Sequence, residues 1–489
     1  MPTLWKKKAV LAIGAGAAMA LAMPGFPVGA LSLVALVPLL FALEEGNGFF
    51  PGVIAGFAFF LVDLRWLFTL TRFTPLVVPG VFLLVLCLST YFGVFGLIIA
   101  YARRRWKADG AFVIVVPVLF TLLEILRNIG PLALGYSSLY QSLYAYPRLI
   151  QIVAYLGPWS LTAAIVFVNT ALYLALRRCR FGFALLAVGA IAILISISFI
   201  PVKTDGSKLD VGIVSSRVPQ EEKLDQKSLM PLLNRYLALG QQAAATDPDM
   251  IVFPESILPD YILRDDRLLP RFADLARTTG AKILFGTGDY RRGKIYNSVV
   301  TLSPGGENMG SYDMVHPVPF GEVIPGRSLW ESIGLKRLVD SFLPVELTPG
   351  TSHTPVDGIG SPICFESMLP AASRAFAAGG ATLLAVVTND AWFDESSELP
   401  AHFAGAVFCA VSTRRYLIQA ANMGISGAID PRGRIMIQTQ KEQATSVTVS
   451  RLTAKSVYTR FGDIPLYILF VVGLAIAVIM ERRNSRVAH

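Results

Sequence analysis

Eight apolar runs divide this 489-residue chain, at roughly residues 9–23, 28–43, 49–62, 76–100, 111–126, 150–176, 181–200 and 464–480. A helix needs about 20 residues to cross the roughly 30 Å hydrocarbon core of a bilayer, so the runs near 15 residues (the first three and the fifth) are the weaker candidates. The first run follows Lys6, Lys7 and Lys8 and also fits a signal peptide. Against that, a second apolar run begins after only Pro24, Gly25, Phe26 and Pro27. The chain is 54% hydrophobic and 16% charged, whereas a soluble domain carries about 25% charged residues. Part of the chain is therefore expected to lie in lipid.

The distribution of basic residues tests the number of spans. With the N-terminus inside and eight crossings, the cytoplasmic segments hold Lys6, Lys7, Lys8, Arg103, Arg104, Arg105, Lys107, Arg177, Arg178, Arg180, Arg482, Arg483 and Arg486. The short outer loops hold only Arg65, Arg72, Arg127 and Arg148. Adding or deleting one span would move later loops to the other side and destroy this bias, which is the one the positive-inside rule expects. Both termini are thus predicted to be cytoplasmic. The net charge of +9 then belongs largely to membrane topology rather than to a nucleic-acid surface.

Residues 1–202 are read as seven transmembrane helices, 203–460 as one extracytoplasmic domain, and 461–489 as an eighth span with a cytoplasmic tail. The middle segment is long enough for its own core. Its β-rich runs at 209–214, 250–253, 283–286, 298–302 and 383–388 alternate with helical stretches at 229–245 and 402–419, the pattern of an α/β fold.

Three segments could carry chemistry. Glu255 follows the strand-like Ile251-Val252-Phe253, where a general base would be useful, although a solvated turn or cap residue fits as well. Cys364, in Ser361-Pro362-Ile363-Cys364-Phe365-Glu366, precedes the helical stretch 368–378. A helix N-terminus lowers a thiol pKa and presents free N–H groups, which suits a nucleophile beside an oxyanion hole. A buried structural cysteine, or a disulfide to Cys409, is the alternative, and mid-helix placement of Cys409 favours a packed thiol there. Third, Tyr312 to Glu322 carries two prolines and a glycine and reads as a rigid loop. Glu322 there is either a site group or surface charge.

In order along the chain, Phe253-Pro254-Glu255, Tyr296-Asn297-Ser298, Val318-Pro319-Phe320-Gly321-Glu322, Ile363-Cys364-Phe365-Glu366, Thr388-Asn389-Asp390-Ala391-Trp392-Phe393 and the segment 420–430 resemble the nitrilase (carbon–nitrogen hydrolase) superfamily. With the flanking spans, and with Leu123-Glu124, Arg127 and Leu134-Gly135-Tyr136-Ser137, nearly the whole chain resembles the apolipoprotein N-acyltransferase family. The resemblance implies eight transmembrane α-helices carrying an extracytoplasmic α-β-β-α sandwich on the periplasmic side of a bacterial inner membrane. It implies a ping-pong transfer of an acyl chain from a phospholipid to Cys364, and then to the α-amine of a diacylglyceryl-cysteine on an apolipoprotein. Glu255 would be the base, the N–H of Phe365 an oxyanion donor, Glu322 and Glu366 supporting acids, and Asn389 and Trp392 substrate-binding residues. A monomer is expected, working at the bilayer surface with no cofactor, no metal and no nucleic-acid partner.

One position departs from the family pattern. Superfamily members place a triad lysine two residues after the tyrosine of the third segment, where this chain has Met314. Losing one positioned oxyanion donor typically costs about 10²–10³ in rate. Met314 marks an inactivating change, a natural impaired relative that binds lipoprotein or phospholipid without turnover, or a site where another cation, His316 or Arg327, takes the role. Further departures at Leu224, Phe365, Asp394 and Gln419 favour natural divergence.

Overall fold

The computed structural model describes residues 2–106, 108–343 and 345–487; Lys107, counted above with the cytoplasmic residues, lies outside the described residues. The first apolar run forms the helix Pro2–Ala22. Among the described residues, five helical segments are long and apolar enough to cross a bilayer: Phe49–Arg72, Val77–Arg105, Asp109–Arg127, Trp159–Arg178 and Ile464–Asn484. Gly29–Ala42 and Phe181–Ile197 are apolar but shorter. The fifth run, short in the sequence, gains length because the helix begins at Asp109 and ends at Arg127. The sixth is divided: Gly157 adopts φ +81° and ends a short helix before Trp159–Arg178 begins.

Close backbone approach holds two of these helices together. A Cβ at Gly52 would lie 2.1 Å from the carbonyl oxygen of Phe92, so the Phe49–Asp63 and Val77–Arg105 helices touch main chain to main chain, as small residues allow in lipid. The Ile464–Val487 helix exposes Ile468, Leu469, Val471, Val472 and Ile476 and buries Leu466, Phe470 and Ala477. One end of the bundle gathers its charges. Lys8 donates to the Glu45 carbonyl and Arg104 to the Gly46 carbonyl. Arg177 pairs with Glu44 at 2.6 Å, and Arg103 and Arg178 pair with Asp109 at 3.1 and 3.0 Å.

The α/β domain is built on two sheets. The first comprises β1 (Ser207–Ser215), β2 (Met250–Val252), β3 (Lys282–Arg291), β4 (Lys294–Leu302), β5 (Asn308–Asp313) and β11 (Gln443–Arg451), in the order β11-β1-β2-β3-β4-β5. The second comprises β6 (Ile359–Gly360), β7 (Leu383–Asn389), β8 (Leu417–Asn422), β9 (Ser426–Ile429) and β10 (Ile435–Thr439), in the order β10-β9-β8-β7-β6. Strands β1, β2 and β3 are mutually parallel, as are β6, β7 and β8.

Period-two alternation explains the layering. Met250, Val252 and Leu284 face inward and join Leu384, Val386 and Ile418 of the second sheet in one core. Their neighbours Ile251, Phe253, Ile283 and Phe285 point the other way, onto Leu232, Leu233, Tyr236, Phe272 and Leu275 of the helices Leu229–Ala244 and Leu269–Thr279. On the far side Phe376, Phe403 and Val407, from the helices Pro370–Ala378 and Glu398–Thr413, complete four layers.

Two expected helices begin or end elsewhere. The stretch 402–419 is helical only to Thr413; Arg414 turns the chain at φ +55° and Leu417–Asn422 is strand β8. A fully buried strand lacks the polar alternation that would have separated it from a buried helix. The helix after Cys364 starts at Pro370, and residues 364–368 form a 3-10 turn instead.

Candidate active site

The parallel strands deliver the site at their carboxyl ends. Chain leaving β2 passes through Phe253 and Pro254 to Glu255, which is 6% exposed. Gly286 of β3 makes room for it, since a Cβ there would stand 2.5 Å from the Glu255 Cα. The carboxyl accepts a hydrogen bond from the Asn297 amide at 2.6 Å through Oε1, while Oε2 has no partner among the described residues. Burial raises the Glu255 pKa, against the lowering effect of Asn297 and of the nearby Lys223 charge. A solvated turn residue is therefore not what this chain builds at 255.

Cys364 opens the turn between β6 and the helix Pro370–Ala378 in a left-handed conformation, φ +46°. Its thiol is half-buried and free, as is the buried Cys409, whose Sγ lies 3.1 Å from the Ser367 carbonyl. The helix-terminus expectation of a lowered thiol pKa is overturned. Burial, then Glu255 and Asp390, push the Cys364 thiol well above its ordinary value, with Thr388 opposing them and Glu322 adding to the rise. A short 3-10 turn offers too little dipole to offset three surrounding carboxyl groups.

Glu366 is fully buried and saturated. It accepts from the Tyr312 hydroxyl at 2.7 and 2.8 Å, from the Val315 and His316 amides at 2.8 and 3.1 Å, and from the Ile363 amide at 3.1 Å. It therefore ties the loop after β5 to the turn that carries Cys364. Glu322 accepts from the Val318 amide at 2.8 Å, and burial followed by the Glu255 charge pushes its pKa up to about 8. Phe365 is buried and stacks at 6.4 Å on Tyr136, from the loop after the Asp109–Arg127 helix.

Met314 stands where the triad lysine is expected. It is 1% exposed, its sulfur lies 3.8 Å from the Asn297 amide nitrogen, and its own N–H donates to the Asn297 carbonyl at 2.9 Å. Neither candidate substitute occupies that space. Arg327 is held by Glu346 and Asp340 at 2.8 and 2.7 Å, and His316 is an outward ring stacked 5.3 Å from His353.

Asn389 binds inward: its amide donates to Gln220 at 2.9 Å and its carbonyl accepts from Asn422 at 2.8 Å. Trp392 is half-buried and meets Phe73 edge-on at 5.1 Å, while Phe393 meets Trp66 at 4.9 Å. Arg72 donates to Asp394 and to the Ala391 carbonyl. The apolar helices thus brace the Thr388–Asp394 segment directly.

Two buried groups were missed. Lys223, 5% exposed, donates to the Glu255 main-chain carbonyl at 2.9 Å, and burial lowers its pKa. Nothing in Gln220–Leu224 signals this, because in the same short helix Lys223 is buried and Leu224 exposed. His402 is fully buried between Asp390 at 3.0 Å, the Cys364 carbonyl at 2.9 Å and the Ser367 hydroxyl at 2.9 Å. Burial opposes its charge, yet Asp390 and Glu398 outweigh it and lift the pKa to about 9. Glu398 in turn accepts from the Tyr136 hydroxyl at 2.7 Å.

Residues 217–459 match the carbon-nitrogen hydrolase family, and residues 15–171 match the apolipoprotein N-acyltransferase N-terminal domain. The apolipoprotein N-acyltransferase of Geobacter metallireducens is 30% identical over 509 residues, covering 97% of this chain and 96% of the relative. The chain belongs to the apolipoprotein N-acyltransferase family. A second member, from Thermotoga maritima, is 30% identical and covers 97% of this chain and 94% of its own length. Among solved structures, an amidase of the nitrilase superfamily from Nesterenkonia AN1 is 17% identical, with a TM-score of 0.41, covering 55% of this chain and 99% of the amidase. The Tyr136 loop, within the residues matched by the N-terminal domain, packs against the Cys364 turn, within those matched by the carbon-nitrogen hydrolase domain.

Proposed function

We propose that this protein transfers an acyl chain from a phospholipid, through a thioester on Cys364, to the α-amine of the diacylglyceryl-cysteine at an apolipoprotein N-terminus. The observation that carries this reading is the convergence of Cys364, Glu255 and Glu322 in one half-buried site braced by apolar helices. In the first half-reaction the Cys364 proton passes to Glu255 as sulfur attacks the ester carbonyl, and the departing lysophospholipid oxygen takes that proton. In the second, the amine attacks the thioester and gives a proton to Glu255, which returns it to the leaving sulfur as the amide forms. A raised carboxyl pKa suits a group that must both take and return a proton near neutrality. The N–H of Phe365 is assigned to the oxyanion.

Three carboxyl groups around a neutral thiol favour proton transfer concerted with attack over a preformed thiolate. Glu366 acts as an anchor for the Cys364 turn, and Trp392 with Phe73 offers an apolar approach for acyl chains. Asn389 supports the wall of the site through Gln220 and Asn422.

The same reading assigns eight spans, seven within residues 1–202 and one within 461–489, around an outer domain of residues 203–460 that works as a monomer. It sets the protein in a bacterial inner membrane with the domain periplasmic and both termini cytoplasmic. Clustering of Lys8, Arg103, Arg104, Arg177 and Arg178 at one end of the bundle supports that orientation, as does Arg72 reaching the domain from the other end.

Incubating the purified protein with phospholipid should add one acyl mass to Cys364. The adduct should be released by hydroxylamine and transferred to a diacylglyceryl-cysteine peptide. Persistence of transfer in Cys364→Ala would sink the thioester route.

A further inference from the structure

Charge around Cys364 does not balance without a group outside the three motif segments. Glu255, Asp390 and Glu322 all act on the thiol, and Met314, against the Asn297 amide that donates to Glu255, brings no charge. Among the described residues two buried cations reach this neighbourhood. His402 faces the wrong way: its ring nitrogens serve Asp390, the Cys364 carbonyl and Ser367, on the main-chain side of the turn. Lys223 sits among the carboxyl groups, bonded to the main chain of the general base and within electrostatic range of Glu255, Asp390 and Cys364.

We propose that Lys223 is the charge-setting residue of this site, supplying from the Gln220–Leu224 helix the positive field that Met314 does not provide. This rests on the reading of Cys364 as nucleophile. The ammonium has three donors, of which one is given to the Glu255 carbonyl. Held there, it offsets the negative charge that develops as sulfur loses its proton and as the tetrahedral oxyanion forms. It acts through field and position rather than by touching the reacting atoms, so it is a positioning residue. Burial keeps water from screening it, and also lowers its pKa to about 7, so its field is exerted at and below neutral pH. The geometry also explains how the chain could lose a lysine at 314: a second ammonium, from the helix after β1, already reaches the same carboxyl-end cluster.

Every group facing the pair belongs in the titration. Glu255 follows β2, Asp390 and Thr388 lie at the end of β7, Glu322 comes from the loop after β5, and Cys364 opens the turn after β6. On Lys223's own helix, Glu221 turns to Arg72 and Glu222 to Arg235.

The test uses the full-length protein in detergent micelles, with iodoacetamide as probe and peptide mapping to isolate Cys364 from Cys87, Cys179 and Cys409. Alkylation rates are followed from about pH 6 to about pH 10. Lys223→Met should slow Cys364 alkylation about tenfold at about pH 6, where the ammonium is charged, and should converge on the parent rate above about pH 8, where it is not. Lys223→Arg should restore the parent profile, and adding Met314→Lys to Lys223→Met should recover most of the loss. A Lys223→Met profile that superimposes on the parent, with only the melting temperature lowered, would overturn the proposal. If Lys223→Met fails to fold, Lys223→Gln in the Met314→Lys background carries the test. There the proposal stands if the slowing at about pH 6 is smaller than in the native background, and falls if no slowing occurs in either. Acyl-adduct formation is measured on the same samples. An unmoved profile with a normal adduct defeats the role of Lys223 alone, whereas a shifted profile with no adduct in the parent defeats the transferase route.

Discussion

His402 Nε2 lies 2.9 Å from the carbonyl oxygen of Cys364, so the turn that carries this thiol is supported from beneath by a buried ring. Asp390 and Glu398 raise the His402 pKa to about 9 from an ordinary 6.5. A raised folded-state pKa means that the stabilisation is complete below about pH 6.5 and disappears as pH climbs through about 9. Glu398, raised by burial and then by Asp390, shifts stability in the same direction, because its folded form also holds a proton that the unfolded form releases. Melting temperature in detergent should fall between about pH 7 and about pH 10, by on the order of 2 kcal/mol of stability at the upper end. His402→Gln should be less stable at neutral pH and should flatten that fall. An equally steep fall in His402→Gln would show that the ring is not the titrating support.

Gly286 gives a second, steric prediction. A methyl group there would meet the Glu255 Cα at 2.5 Å, and main chain cannot yield as a flexible side chain can. Gly286→Ala should cost about 1–3 kcal/mol through displacement of the Glu255 loop. Acyl-enzyme formation should drop by about 10²-fold, since an ångström of misplacement at a base is enough for that. Cys364 should still alkylate. Unchanged acylation with unchanged melting would mean that the loop relaxes freely.

Much of this architecture is legible in the residues because it rests on period and position. The β-rich runs at 209–214, 250–253, 283–286, 298–302 and 383–388 fall on β1, β2, β3, β4 and β7, and Glu255 and Cys364 sit just past strand ends. Burial hides the rest. Leu417–Asn422 is enclosed on both faces, so its period does not separate it from the helix before it. Thiol acidity could not be read from the turn at Cys364, because its neighbours Glu255, Glu322 and Asp390 come from distant segments that only the fold unites. Lys223 and His402 look like surface residues in the chain for the same reason. Their partners are the main-chain carbonyl of Glu255, 32 residues from Lys223, and the carboxylate of Asp390, 12 residues from His402.

Tyr136 links the two regions of the chain. Its hydroxyl donates to Glu398 at 2.7 Å while its ring lies over Phe365 and beside Trp66 at 5.0 Å. Tyr136→Phe keeps the ring but leaves a buried carboxyl with one donor fewer, at a cost of about 1–3 kcal/mol. Tyr136→Ala removes the stacking surface as well and should reduce acyl transfer further by loosening the Phe365 amide. Thermal melting and thioester formation, measured together, separate the two effects. Equal losses of transfer in both variants would place the whole contribution in the hydroxyl.

Met314→Lys tests what the methionine costs. The introduced ammonium would replace a buried thioether of similar length, 3.8 Å from the Asn297 amide, where a bare charge would be expensive. A partner is in place: Glu255 Oε2 has no hydrogen bond among the described residues. Ion pairing there would hold Glu255 ionised and add a second positive charge near Cys364, easing loss of the thiol proton. Cys364 should alkylate about tenfold faster at pH 7 than in the parent, and thioester formation should rise by about 10-fold or more. Stability should change little, because the gain of a partner for Oε2 offsets desolvation of the ammonium. Slower acylation with lower stability would mean that the cavity around Met314 has closed on an apolar side chain and no longer accepts charge.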